Sequence, residues 1–243
     1  MNLLPVVRGF AASLFAWLAL MCVLVLFGLS KSSTLADGAL WRFEALEGLW
    51  GGPRLSQRAH ERLTLGMHAG QDALVEPGAR LLFGDSHLAV LPASLLGGAH
   101  NFAIGGQSAQ RLSTVLPRYA SVARASALVI GSGTNDLAEG ASVEEVLLAW
   151  DRLLDQLPEG PQVLCIGIPA GVGMAGPSDR VSKLNQGVMR RCIDHGHRFL
   201  PVTPGQGDWR TVGWARDGVH MNTEGAQMLA RRIRGALAQE TPS

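Results

Sequence analysis

The chain has little of what usually marks a protein's class. Of its 243 residues only 17% are charged and 6% aromatic, with a single tyrosine and three cysteines. Basic and acidic residues number 21 and 20; once Arg8 and Lys31 are set aside they stand at 19 and 20. A sequence so near neutrality lacks the basic footprint of nucleic-acid binding. Cys22, Cys165 and Cys192 are odd in number and far apart, so their spacing supports neither a disulfide framework nor a zinc knuckle, and it says little about redox compartment. Thirty glycines and twelve prolines fall without period, which excludes collagen-like and low-complexity chains. Gly131-Ser132-Gly133 fails as a dinucleotide loop, because Asp136 stands where the last glycine belongs. His195 and His197 have the alternation that places both on one face of a strand. A metal needs three or four ligands and no third is near, so they are expected to be surface histidines. No metal or cofactor is expected.

One long apolar run is present. From Gly9 to Leu29 there are 21 residues without a charge, and about 20 apolar residues cross a hydrocarbon layer roughly 30 Å thick. Arg8 and Lys31 flank the run, where their side chains can reach headgroups. A cleaved signal peptide is the competing reading, with Thr34-Leu35-Ala36 as the peptidase site. Its apolar core would usually be shorter, about 7–15 residues. The run is therefore expected to be an uncleaved transmembrane helix. Cations on the two sides nearly tie; an N-in orientation with an extracytoplasmic domain is the expectation.

Residues 1–31 thus form an anchor, 32–78 a linker with short helices, and 79–240 the main domain. In the linker, Ala39–Trp50 has the spacing of a short amphipathic helix, and a second helix is expected over Ser56–His68. Beyond Pro77-Gly78, short apolar runs at Arg80–Phe83, Asn101–Ile104, Ala127–Ile130, Val163–Ile168 and Arg198–Val202 alternate with helical stretches. That alternation predicts an α/β domain whose parallel sheet is covered on both faces. The clearest helix is Ser142–Leu157, opened by a Ser142/Glu145 capping box and stopped by Pro158 and Gly160. A last helix starts near Thr223. The segment Pro169–Pro177 is expected to be a loop over the crevice.

In such sheets sites form beyond the C-terminal ends of the strands. There stand Gly84-Asp85-Ser86-His87, then Gly105-Gly106, then Gly133-Thr134-Asn135-Asp136, and near the end Asp217-Gly218-Val219-His220. Together they supply the parts of acyl transfer. Ser86 is the candidate nucleophile on a turn that Gly84 permits, His220 the base, and Asp217 the carboxylate that orients the imidazole. The N–H groups of Ser86 and Gly106 and the amide of Asn135 would hold the oxyanion. Gly105 is an alternative to Gly106. Ser86 has an ordinary reading too, as the N-cap of the helix that follows. Asp85, Asp136 and His87 are expected to be supporting residues. Trp209, Trp214 and His87 are candidates for lining a substrate cleft, where an indole can stack on a sugar ring.

These four blocks resemble the SGNH (GDSL-type) hydrolase superfamily over roughly residues 79–240. The resemblance implies a flavodoxin-like three-layer α/β/α sandwich with a five-stranded parallel sheet in the order 2-1-3-4-5 and no metal. It assigns Ser86 as nucleophile, Gly106 and Asn135 as oxyanion donors, and His220 with Asp217 as base and orienting acid. His87 departs from the pattern, which usually has leucine. Similar GDSH sequences occur in SGNH domains that add or remove acyl groups on extracytoplasmic polysaccharides. The G-x-S-x-G elbow of the other large α/β esterase fold is absent. The expected activity is hydrolysis of acyl or acetyl esters, O-acetylated polysaccharide included, by a membrane-anchored serine esterase. The alternatives are an O-acyltransferase using the same site and an inactive SGNH-like binding domain.

Overall fold

The computed structural model describes residues 55–169, 178–202 and 219–239. The expected anchor Gly9–Leu29, the helix Ala39–Trp50, most of the Pro169–Pro177 loop, and Trp209, Trp214 and Asp217 lie outside them. Among the described residues no helix is long and apolar enough to cross a membrane.

Helix α1 (Leu55–Asp72) leads into β1 (Arg80–Gly84), α2 (Ser86–Ala89), β2 (His100–Asn101) and α3 (Ala109–Val115). Then come β3 (Ala127–Gly131), α4 (Thr134–Ala138), α5 (Val143–Asp155), β4 (Gln162–Ile166), α6 (Ser178–Asp194), β5 (Arg198–Leu200) and α7 (Thr223–Ala238). The strands are parallel throughout, in the order 2-1-3-4-5.

Alternation along each strand creates two cores. Successive side chains point to opposite faces of a sheet. Leu81, Phe83, Leu128, Ile130, Val163 and Cys165 therefore pack on one face with residues of α3, α5 and α6. Leu82, Val129, Leu164 and Ile166 pack on the other with Leu88 of α2 and Leu229 and Ile233 of α7. Both faces being covered, the strands are apolar nearly end to end rather than alternating with polar residues. The expected three layers are present.

Helix α5 starts where its capping box sets it. Ser142 Oγ accepts from the Glu145 N–H at 3.2 Å, and Glu145 Oε2 accepts from the Ser142 N–H at 2.7 Å. Strand β2 is shorter than the sequence suggests. Asn101 turns its side chain into local backbone, donating to the carbonyls of Leu88 and Leu91 and accepting from Ala103 N–H. The chain still runs beside β1, with Phe102 and Ile104 N–H bonded to the carbonyls of Leu82 and Gly84. Helix α1 extends four residues past the expected His68. Asp72 gives it an anchor there, accepting from the N–H groups of Ala120 and Ser121 and from the Ser121 hydroxyl. His68 Nδ1 lies 2.8 Å from the Tyr119 hydroxyl, and burial holds the imidazole pKa below its usual value.

The cysteines correct the sequence reading. Cys165 of β4 and Cys192 of α6 form a disulfide, both sulfurs fully buried, while spacing alone supported no pairing. The physical reason is the crossover from β4 through α6 to β5, which lays α6 on the face toward which Cys165 points. A 27-residue separation implies about 3.5 kcal/mol of stabilisation on a loop-entropy account. Reduction under mild denaturant should lower the unfolding midpoint accordingly, measured by urea titration with and without thiol. A midpoint indifferent to thiol, with reduction verified by mass, would contradict this. His195 is exposed and His197 half-buried, as expected of surface histidines, and neither lies in a strand. His195 follows α6 in a turn, its Nε2 3.1 Å from Asp155, and its pKa is raised by the Arg191 carbonyl and then by Asp155. No group of metal-binding side chains occurs among the described residues.

Candidate active site

Strand β1 delivers the first block to the crevice. Gly84 pairs with Gly131 across β1 and β3, and Asp85 N–H donates to the Gly131 carbonyl at 3.2 Å. A side chain on Gly84 would overlap that carbonyl oxygen, so only glycine fits the turn. Asp85 is the N-cap of α2, its carboxylate accepting from His87 N–H at 3.0 Å. The capping job therefore belongs to Asp85. Ser86, the first residue of α2, is half-buried and its hydroxyl is not consumed in capping.

The second block follows β2. Gln107 N–H donates to the Ile104 carbonyl at 3.1 Å, closing a four-residue turn with Gly106 in third place. Gly106 has φ +76°, a conformation glycine adopts freely there. An added Cβ on Gly105 would meet nothing within 4 Å, so that glycine is not sterically required.

The third block is tied to the second. Asn135 Nδ2 donates to the Gln107 carbonyl at 3.1 Å. A carboxamide has two N–H donors, and this bond engages one of them and fixes the plane of the group. Asp136, buried, accepts from Ala109 N–H at 2.8 Å at the start of α3. Burial pushes its carboxyl pKa up, against the backbone N–H donors that pull it down. Trp150, fully buried in α5, donates from Nε1 to the Ser132 carbonyl at 3.1 Å and braces the turn before α4 from below. No sequence pattern marks Gln107, because its contribution is a backbone carbonyl that any residue supplies. Its place directly after Gly106 is the only signal.

The fourth block comes from the far end of the chain. Asn222 caps α7, accepting from Gly225 N–H at 2.9 Å, and His220 stands just before it. The His220 ring is exposed, and its centroid lies 6.2 Å from that of His87, the residue next to Ser86. His87 is buried, 4% exposed, in the wall of the site. Ser86, Gly106 and Asn135 follow the C-terminal ends of β1, β2 and β3 in turn, and His220 lies beside His87. Asp217, Trp209 and Trp214 are not among the described residues. A hydroxyl, an imidazole and amide donors are the groups that acyl transfer uses.

Comparison with known proteins identifies the family. Residues 77–228 match the profile of the GDSL-like Lipase/Acylhydrolase family. The fold is similar to that of a lipase/acylhydrolase from Enterococcus faecalis, at 14% identity and TM-score 0.59, covering 68% of this chain and 99% of the other. A GDSL-like lipase from Bacteroides thetaiotaomicron is alike at 15% identity and TM-score 0.60, covering 71% and 96%. A carbohydrate esterase family 3 protein from Talaromyces cellulolyticus is alike at 13% identity and TM-score 0.52, covering 65% and 96%. No curated protein sequence matches.

Proposed function

The chain belongs to the GDSL-like lipase/acylhydrolase family, and on that premise we propose that it is a serine esterase held in a membrane by Gly9–Leu29, its catalytic domain on the extracytoplasmic side. Ser86 gives its hydroxyl proton to His220 as its oxygen attacks the ester carbonyl. The oxyanion is held by the N–H groups of Ser86 and Gly106 and by Asn135 Nδ2. Asp217 accepts a hydrogen bond from the far imidazole nitrogen and stabilises the imidazolium. His220 then gives the proton to the departing alcohol, leaving an acyl-Ser86 ester. Water, deprotonated by His220, attacks this ester; the acid leaves and the Ser86 hydroxyl is restored.

The observation that carries the reading is the Asn135 amide, pinned to the carbonyl next to Gly106. Preorganised donors of this kind stabilise charge without having to reorient during the reaction. An O-acetylated carbohydrate is the proposed substrate class. The GDSH block supports it, as does the fold shared with a protein named a carbohydrate esterase. The buried Cys165–Cys192 disulfide supports the compartment, since such bonds persist in oxidising surroundings and are rare in the cytosol. Asn135→Ala should lower kcat by about 100- to 1,000-fold with little change in KM, because the lost bond strengthens only as the carbonyl becomes an oxyanion. Steady-state kinetics on p-nitrophenyl acetate measures it. A drop confined to KM would contradict the role.

A further inference from the structure

The two loops that carry the amide donors lead into short helices. Gly106 and Gln107 pass from β2 toward α3, seven residues long, and Asn135 and Asp136 lie in the first turn of α4, five residues long. Helices of that length do not hold themselves together in water, so their placement depends on what ties them to the rest of the fold. Two bonds of opposite polarity join them to each other. Asn135 Nδ2 donates to the Gln107 carbonyl at 3.1 Å, and Asp136 Oδ2 accepts from the Ala109 N–H at 2.8 Å. One hydrogen bond leaves a hinge about which either loop can swing. A second, one residue further along α4 and two further along the other loop, fixes the angle as well as the distance.

The Asp136 bond is the stiffer of the two. The carboxyl group belongs to a residue only 6% exposed, and the N–H groups of Gln110 and of Asp136 itself also turn toward it. Burying a carboxylate is costly unless donors surround it, so the start of α3 cannot move off without stranding the group. When ionised it forms charge-assisted bonds, roughly twice as strong as neutral ones.

We infer that Asp136 is a positioning residue for the oxyanion hole: by holding the start of α3 to the first turn of α4, it sets the spacing between the Gly106 N–H and the Asn135 amide. The inference rests on the esterase reading, which assigns those two donors. Asp136 touches no substrate and moves no proton; it acts through the loops it joins. Both donors must reach one oxygen, at about 2.7–3.1 Å, and a misplacement of about 1 Å costs about 100-fold in rate.

Asp72 supplies a matched control. It too is 6% exposed and accepts from backbone N–H groups, those of Ala120 and Ser121, but in segments that precede β1 and β3 rather than follow them. Steady-state kinetics on p-nitrophenyl acetate and urea midpoints are compared for the full-length variants. Asp136→Ala should lower kcat by about 100-fold with KM little changed. Asp136→Asn keeps the volume and one acceptor oxygen; it should lose about tenfold, because a neutral acceptor bonds about half as strongly. Asp72→Asn should lower the midpoint and leave kcat where it is. Added to Asn135→Ala, Asp136→Asn should cost little more, since a spacing between two donors matters only while both are present. If the alanine variant does not fold, the asparagine variant carries the same readouts. An Asp136→Asn protein that loses stability as Asp72→Asn does and keeps its kcat would overturn the inference, and so would losses that multiply in full in the double variant. Ser86→Ala, run beside these, separates two failures. Turnover surviving Ser86→Ala ends the esterase reading and this inference with it; turnover lost there but kept in Asp136→Asn ends this inference alone.

Discussion

Ser86→Ala should abolish ester hydrolysis, lowering kcat by roughly a million-fold while leaving the fold intact. The size of the effect follows from the role. Without the hydroxyl there is no acyl-enzyme, and His220 can only assist water at a carbonyl no longer positioned against a nucleophile. The structure also explains why stability should hold. The cap of α2 is the Asp85 carboxylate and not the serine, so among the described residues removing one half-buried oxygen deprives no backbone N–H of its partner. The unfolding midpoint should move by less than about 0.5 kcal/mol equivalent. Kinetics on p-nitrophenyl acetate beside a urea titration separates the two quantities. A variant that kept full turnover would remove Ser86 from the chemistry.

Gly84→Ala is the second large effect, and it acts on stability first. The new methyl would overlap the Gly131 carbonyl oxygen and press the Leu88 side chain at 3.0 Å. Neither neighbour can yield cheaply. Gly131 is the β3 partner of Gly84, and its carbonyl accepts from Asp85 N–H. Relief requires prying β1 from β3 at the point where Ser86 is presented. Overpacking against backbone costs about 3 kcal/mol or more, and activity should fall with the fold. Gly78→Ala is the natural control. Its φ of +83° makes alanine strained, but nothing lies within 4 Å of the added carbon, so about 1–2 kcal/mol is expected. Thermal or urea midpoints should rank the two variants in that order. Equal losses would mean that conformation, and not the Gly131 contact, fixes the residue.

Much of the sheet was legible because its strands are apolar runs bounded by glycine and proline, and because α5 carries both a capping box and one apolar face. The order 2-1-3-4-5 came from the resemblance, since the spacing of runs says nothing about which strands are neighbours. The Cys165–Cys192 bond was not legible. It depends on which face of β4 a residue occupies and on how α6 crosses that face, and 27 residues of sequence separation conceal both. β2 was overestimated because Asn101 reads as an ordinary polar residue, whereas its amide organises three carbonyls. Around the candidate site, the residue types were visible in four short blocks. The bonds joining the blocks were not, because they run through the Gln107 carbonyl, the Ala109 amide and the Ser132 carbonyl. Backbone groups leave no mark on a sequence. The fit of α1 to Tyr119 and Ser121 was hidden too, since His68 and Asp72 look like surface residues until their partners, some fifty positions away, are known.

The central claim is that Ser86 is a nucleophile activated by His220. A fluorophosphonate probe tests it most directly, because it phosphonylates a serine only when a base removes the hydroxyl proton. The folded full-length protein should gain one probe mass, located by peptide sequencing on Ser86, and His220→Ala should slow labelling by orders of magnitude. Folded protein that stays unlabelled, or that carries the probe on any other residue, would contradict the account.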